Sequence, residues 1–536
     1  MVMVSMGIHK NDNKLHKITF RLFAILFSYE FFFSENVSAF DWRVRPSLSM
    51  SEVFSDNLEL SDNAKKSGFV SEVSPGILIY GSSPWSNLNL NYRLQGLHNA
   101  GGNDAFDINH QLQMNSLYQA LRNTLFIQTS SSISQQNISN TFITTDNLTG
   151  NNSRVESKNF SISPYWTPHF GQYANGLFKV GYQKSSFDTT NSNTASSSLL
   201  NQLSDSESFS RQARLSSGSK FSSVRWNLNY SSDDQSRVTG SDVRFEQYTG
   251  DARYYFNRKY NAFIRAGYEN NDFETASDSV NNGFFYTFGA QWNPSMFYSL
   301  EAGYGNNKHV TVRVNPSANL SAFVTFQNKE VGLNTGNSWD ANLLYRAKQA
   351  SVRFTYSQDT TTVQQVLANQ LIFADPDEDE SSNTSDPSLL VFNPNLPNLG
   401  LGNDVIINKQ ANLSFTFQTG KSFYNASLYN TRRNYEPSLV EDNVYGASAG
   451  WRWQFDPRLN LYLRPNWQST DSSSTSAGNS QRYDVALGLT RGMSINLGRR
   501  LLMNTSLEFR HIKQQSDVST NDYTENRATA NFAVRF

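Results

Sequence analysis

Apolar and polar side chains alternate along the chain from residue 40 onward, in stretches of about ten residues that are separated by turns. In LNLNYRL, residues 88–94, leucine and tyrosine occupy the even positions, and asparagine and arginine occupy the odd ones. In GWRWQF, residues 450–455, tryptophan and phenylalanine alternate with glycine, arginine and glutamine. A period of two predicts β-strands with one apolar face and one polar face.

The stretches number about 22, within a range of about 20 to 24, and the connections between them alternate between short and long. Short turns are predicted at residues 257–259, 293–295, 419–422, 456–458 and 497–499, and long connections at 231–241, 469–481 and about 360–403. Residues 310–330 fit either a long loop or another hairpin. Pro46 and Pro465 fall inside predicted strands, where the missing ladder donor indicates a bulge or a strand end.

Residues 1–39 have the features of a signal peptide. Basic residues from Lys10 to Arg21 precede an apolar run at 22–33, and the small residues at 37–39 fit a cleavage site. The alternative, a short anchor helix, is disfavoured because about 12 apolar residues do not comfortably span a bilayer. We therefore predict an exported chain whose mature part starts at Phe40.

Composition excludes several other classes of protein. The 536 residues include no cysteine, so disulfides do not hold the fold. The 45 Lys and Arg nearly balance the 46 Asp and Glu, which gives no indication of a nucleic-acid partner. After residue 39 no run approaches the roughly 18 apolar residues that a membrane helix needs.

Together these features predict an all-β fold, a transmembrane antiparallel β-barrel over residues 40–536. Short turns would face the periplasm, long loops the outside, and both termini the periplasm of a Gram-negative bacterium. The alternative is a secreted all-β array, either a solenoid or tandem sandwiches, although this many strands would overfill one sandwich. The alternating apolar residues Phe532, Val534 and Phe536 resemble the assembly signal of outer-membrane barrels.

Arginine is frequent on the polar phase of the strands. The candidates for a basic lumen are Arg93, Arg225, Arg253, Arg265, Arg346, Arg353, Arg452, Arg464 and Arg510, followed by Arg527 and Arg535. Acidic residues on the same phase are Asp251, Glu269, Glu301, Asp484 and Glu508. The pattern predicts either a lumen that favours anionic solutes, such as an acidic polysaccharide, or arginine–carboxylate networks that brace a wide wall.

An acidic run, a group of aromatic residues and the histidines give no sign of a binding or catalytic site. The acidic run at residues 375–380 fits a solvated loop better than a calcium site, because it lacks the spacing of a calcium-binding loop. Trp451, Trp453, Tyr462 and Trp467 lie near strand ends and fit an interfacial aromatic girdle better than a sugar-stacking site. The few histidines form no nucleophilic or metal-binding signature, so we expect no enzyme, no cofactor and no metal site.

The N-terminal third resembles a known family. The stretches at residues 47–61, 69–81 and 88–99 are similar to those of the PEP-CTERM system-associated outer-membrane β-barrel proteins. The similarity includes the aromatic-x-Asp-Asn run at Phe54, Asp56 and Asn57, and Pro75–Gly76 in the second strand. The segment at 354–362 also resembles a later part of the family. The resemblance implies a setting beside exosortase and exopolysaccharide-export genes and supplies no catalytic residues.

These observations leave three hypotheses for function. The first is a conduit or accessory in exopolysaccharide or surface-protein export, with anionic polysaccharide or export components as partners. The second is a general or substrate-selective porin, and the third is a structural or adhesive surface barrel. Outer-membrane lipid and the barrel-assembly machinery are expected partners in each case. No separate plug domain precedes the first predicted strand, so a constriction would come from in-folded loops, with residues 360–403 as the best candidate.

Overall fold

The computed structural model describes residues 41–101, 106–138, 142–144, 146–150, 154–188, 204–275, 280–369, 373–374, 391–392, 404–473, 478–496 and 500–536. The predicted signal peptide, the acidic run at 375–380 and the turn at 497–499 lie outside the described residues. No helix within the described ranges is long and apolar enough to cross a membrane.

The described residues form one meander of 24 long strands, which we number β1 to β24. They are Asp41–Ser55, Gly68–Ser82, Ser86–Ala100, Phe106–Leu121, Leu125–Asn137, Arg154–Trp166, Ala174–Asp188, Ser206–Ser217, Val224–Arg237, Val243–Tyr255, Tyr260–Glu269, Gly283–Ser295, Tyr298–Gly305, Asn307–Ser317, Leu320–Lys329, Gly336–Arg346, Ala350–Thr362, Val405–Gln418, Ser422–Glu436, Glu441–Asp456, Leu459–Ser472, Ser480–Asn496, Arg500–Ser516 and Tyr523–Arg535. Two-residue strands, the helix Val363–Ala368 (α1) and the 3-10 turn Ser519–Asn521 lie between them.

The sheet closes on itself. Each long strand pairs antiparallel with the next, and β24 returns to β1 over a ladder from Arg535 opposite Ser47 to Arg527 opposite Ser55. The predicted all-β antiparallel barrel is therefore confirmed. Its strand number lies at the upper end of the predicted range, two above the central value. Residues 310–330 belong to a further hairpin, formed by β14 and β15.

The register assigns each side chain to one of two faces, because directly paired residues share a face. Followed around the barrel, it puts all eleven candidate arginines on the same face. The opposite face exposes large apolar side chains, for example Ile264, Phe288 and Leu507. An apolar exterior around a closed polar interior is the architecture of outer-membrane β-barrels.

The two ends of the barrel differ. Asp41 and Phe536, the first and last described residues, and the short turns lie at one end, the short-turn end, and the longer connections lie at the other, the loop end. The predicted loop at 231–241 is wrong in extent, since β9 continues to Arg237 and β10 starts at Val243. Outward side chains on β9 are apolar up to Tyr230 and polar from Ser232 onward. The strand therefore continues beyond the apolar band with polar residues on both faces. In the sequence, a stretch that is polar on both faces looks like a loop.

Other predicted boundaries move in the same direction. Strands β21 and β22 reach Ser472 and Ser480, so the connection predicted at 469–481 is shorter than expected. The predicted loop at 360–403 starts after Thr362 and continues into α1. Pro46 and Pro465 cause neither a bulge nor a strand end: Pro46 pairs with Ile77 and Pro465 with Val485 in unshifted registers.

Candidate functional site

The interior of the barrel is the candidate site. For 24 strands at a spacing of about 4.8 Å and a tilt of about 40°, a circular barrel would measure on the order of 45 Å between opposite backbones. Wall side chains alone do not fill such a width. What the lumen does therefore depends on the charges along its wall and on the segments that fold into it.

Three of the predicted arginines form ion pairs along the wall. Arg253 Nη1 lies 2.9 Å from Glu301 Oε2, and Glu301 Oε1 lies 3.1 Å from His309 Nε2. The other two pairs are Arg265 with Asp251 at 3.4 Å and Arg464 with Glu508 at 3.4 Å. These contacts agree with the wall-bracing interpretation.

Two other predicted arginines have neutral neighbours. Arg93 Nε donates to Gln111 at 2.8 Å, and the guanidinium of Arg225 lies 5.1 Å from the ring centre of Tyr255. At Arg93 and Arg225 the positive charge faces the lumen beside neutral groups, which agrees with the anion-favouring interpretation. Arg452 also faces the lumen and stacks over Phe423 at 5.2 Å, and Arg346 and Arg353 are exposed near the short-turn end.

The remaining three arginines lie at the seam where β23, β24 and β1 meet. Arg535 lies opposite Ser47 at the short-turn end. Arg510 and Arg527 lie further along the seam, toward the loop end. They are direct cross-strand partners, an arrangement of like charges that is unfavourable without an anion. Asp484 contacts Arg510 at 2.5 and 2.8 Å, and Asp146 contacts Arg527 at 2.6 and 3.1 Å. Burial alone would raise the pKa of Asp146, but the charges of Arg527 and Arg510 hold this pKa well below its usual range.

Asp146 belongs to a segment that folds into the barrel, which we call the inner segment, residues 142–144 and 146–150. Tyr523 donates to the carbonyl of Ile143 at 2.8 Å, and Asn147 donates to Gln95 and Gln135 at 2.9 and 3.1 Å. An apolar cluster, Val53, Leu58, Val70, Leu97 and Leu148, holds the same segment against β1 to β3. The inner segment therefore covers the lumen wall on both sides of the seam.

Helix α1 also folds into the lumen at the loop end. Val363 and Leu367 are buried in an apolar cluster that draws on widely separated strands; its other members are Ile138, Val155, Ile406 and Tyr435. Gln365 also donates to Asp233 of β9 at 2.9 Å. The cluster thus joins the β5–β6 connection to β18 and β19, about twelve strands away around the ring. We call α1, the inner segment and Ile138 the partition, because together they cross the lumen at the loop end.

A second cross-lumen contact lies beside the partition. Thr275, in the connection after β11, donates to Glu436 at the end of β19 at 3.2 Å. Asp404, just before β18, accepts from Ser438 at 2.7 Å and is attracted by Arg237 of β9. Burial raises the pKa of the Asp404 carboxyl, and the nearby Glu436 and Glu274 act in the same direction.

Several expectations change here. In-folded loops constrict the lumen, but the inner segment was not singled out in the sequence. Tyr462 faces the lumen and donates to Glu508 at 2.6 Å, so it does not belong to an exterior girdle, whereas Trp451, Trp453 and Trp467 face outward. Arg482, which contacts Asp484 at 2.9 Å, was missed although strand alternation places both on one face. Within the described residues, no group of three or more acidic, His or Cys side chains is placed to hold a metal ion.

The structure of Phe532, Val534 and Phe536 agrees with a closing strand. Phe532 and Val534 lie on the outward face opposite Met50 and Leu48 of β1. The backbone N–H of Phe536 donates to the carbonyl of Pro46 at 3.0 Å, and its side chain is exposed. The terminal residue therefore extends the seam by one hydrogen bond.

Solved barrels align with most of the chain at low identity. No protein-family model and no curated protein matches it. The siderophore receptor PirA from Pseudomonas aeruginosa aligns over 92% of this chain and 80% of its own, with 9% identity and a TM-score of 0.39. The corresponding values for the FrpB iron transporter from Neisseria meningitidis are 92%, 81%, 12% and 0.43. For OpdK with vanillate, from Pseudomonas aeruginosa, they are 92%, 99%, 8% and 0.34. The fold assignment rests on the closed ladder of the chain itself.

Proposed function

We propose that the chain is an outer-membrane conduit for an anionic exopolysaccharide, or an accessory of its export or of surface-protein export, in a cell that has a PEP-CTERM/exosortase system. In this proposal the short-turn end and both termini face the periplasm, and the loop end faces the outside. The barrel-assembly machinery inserts the chain, and outer-membrane lipid surrounds it.

The observation that carries this proposal is a wide polar lumen that all eleven candidate arginines face, of which Arg93 and Arg225 have neutral neighbours. Arg93 is held by an amide, and Arg225 lies over an aromatic ring. Rings of positive potential in a water-filled barrel favour anions over cations. A planar guanidinium also binds carboxylates through two parallel hydrogen bonds, as an acidic sugar would require.

The partition is also compatible with the two alternative functions, the porin and the structural or adhesive barrel. A lumen crossed at the loop end suits a structural or adhesive surface barrel that does not conduct. It also suits a selective porin in which the partition admits only small solutes. Both alternatives share the fold and differ from the first in what passes through it.

Two measurements separate these candidates. Planar-bilayer recordings of the purified protein should show a conductance that prefers anions, and a protein that never conducts would favour the adhesive barrel. Deleting the gene should lower the amount of secreted polysaccharide. Unchanged secretion together with anion conductance would favour the porin.

A further inference from the structure

Charge is distributed unequally between the two ends of the barrel. Counted between the strand ends, the described short turns contain seven Lys and Arg residues and no Asp or Glu, and Asp456, the last residue of β20, is an exposed acid at the edge of one turn. The seven are Arg122, Lys220, Arg258, Lys259, Lys348, Lys421 and Arg458. All are exposed, and within the described residues none has a carboxylate at ion-pair distance. We call this set the basic rim.

The loop end has the opposite sign. The described connections at that end contain two cations, Lys65 and Lys66, and both pair with acids of their own loop. The acids are Asp56, Glu59, Asp62, Asp146, Asp205, Asp242, Asp272, Glu274, Glu330, Asp404, Asp517 and Asp522. A chain whose net charge is −1 is therefore polarised along the barrel axis.

The basic rim continues into the lumen. Lys348 lies between Arg346, the last residue of β16, and Arg353, the fourth residue of β17. Arg346 pairs with Ser351 and Arg353 with Leu344, so the two arginines are diagonal neighbours on adjacent strands, about 7–8 Å apart. Arginines also flank two other turns. Arg258 and Lys259 stand beside Arg253 and Arg265, and Arg458 stands beside Arg452 and Arg464. Of this set, Arg253, Arg265 and Arg464 also pair with wall carboxylates.

We propose that the basic rim and the lumen arginines next to it form one capture surface, at which an anionic polysaccharide enters the barrel from the short-turn end. This inference rests on the proposed function and adds the place and direction of entry. Seven exposed cations around one mouth, with lumen arginines behind three of the turns, match a ligand with repeated carboxylates better than a single small anion. The acidic loop end repels the same polymer and so opposes entry from that side.

The continuity into the lumen favours a polysaccharide over membrane lipid as the occupant. Phospholipid headgroups reach the outer edge of the turns, but they do not reach Arg346, Arg353 or Arg452 inside a closed wall. A surface for lipid alone would end at the rim. The polysaccharide is thus the ligand that contacts both parts of the surface.

The test uses the full-length purified protein in a neutral detergent and a fluorescent oligouronate of defined length as the probe. The rim variant carries Arg258→Gln, Lys259→Gln, Lys348→Gln and Arg458→Gln, all exposed positions. Fluorescence anisotropy should show binding by the wild type that weakens with salt. The rim variant should bind about tenfold more weakly and with less salt dependence, because each exposed charge contributes a fraction of a kcal/mol.

The matched control removes four cations from the loop end, with Lys65→Gln, Lys66→Gln, Lys308→Gln and Lys513→Gln, and should bind like the wild type. A neutral dextran of the same length should not bind. The inference is overturned if the wild type does not bind the oligouronate, or if the rim and control variants weaken binding equally. It is also overturned if the rim variant binds normally and instead loses its preference for vesicles that contain phosphatidylglycerol. If the binding results hold but gene deletion leaves secreted polysaccharide unchanged, the capture surface stands and the export proposal fails.

Discussion

Asp146 shows how one side chain decides what nearby arginines do. Arg510 of β23 and Arg527 of β24 are direct cross-strand partners. Their positive charges repel each other unless a nearby carboxylate offsets them. Asp484 and Asp146 provide that charge, and Arg527 is only 3% exposed. At this position arginine holds the inner segment in place, whereas Arg93 and Arg225 have neutral neighbours and present their charge to the lumen.

Substituting Asp146 tests this role. Asp146→Asn leaves Arg527 buried without its counter-charge, so we expect a loss of about 3 kcal/mol in the free energy of unfolding. Urea unfolding of the lipid-reconstituted protein measures this loss. The low pKa of Asp146 means that its contribution is present above the unfolded pKa of about 4 and disappears only when the pH falls through the lower folded value. The loss should therefore be the same at pH 7 and pH 5.

Asp62→Asn is the matched control for this prediction. Asp62 is 54% exposed and lies 3.8 Å from Lys65, so its removal should change stability by less than about 0.5 kcal/mol. Equal effects of the two substitutions would show that Asp146 does not hold the inner segment.

At the scale of elements, the strands could be predicted from the sequence and the partition could not. Alternation gives each strand an apolar face and a polar face, so the sequence alone places the candidate arginines on one face, as the register also does. Strand ends were harder because polar outward residues such as Ser232 and Asp234 continue the ladder beyond the apolar band. Asp146 and Leu367 lie in connections without periodicity, and their partners are distant in sequence, so no local pattern indicates their contacts.

At this scale we predict that helix α1 limits the conductance of the lumen. Its first turn is fixed by a capping box between Thr362 and Gln365, and Leu367 is 3% exposed in the apolar cluster. Leu367→Asp places a charge in that cluster and should destabilise the partition by about 3 kcal/mol. Planar-bilayer recordings should then show a larger or more frequently open conductance. Asn369→Ser, at the exposed end of the helix, should leave the conductance unchanged. If both variants conduct like the wild type, α1 does not limit the lumen.

At the scale of the whole molecule, closure depends on how the last strand pairs. The last strand has two partners, since β24 pairs with β23 on one side and with β1 on the other. Every backbone group of a membrane-spanning sheet needs a partner, and a barrel meets this need only when its first and last strands join. The final residues are therefore part of the seam.

Phe536 and Arg535 provide the test of that seam, because they are adjacent and face opposite sides. Phe536→Ser, or deletion of Phe536, removes the exposed apolar terminus, and the deletion also removes the hydrogen bond to Pro46. We expect less heat-modifiable protein in the outer-membrane fraction at low expression. Arg535→Gln keeps the outward face intact and should assemble like the wild type, with at most a change in ion preference. Normal assembly of all three variants would show that neither terminal side chain directs insertion, and the assembly signal would then have to lie elsewhere in β24.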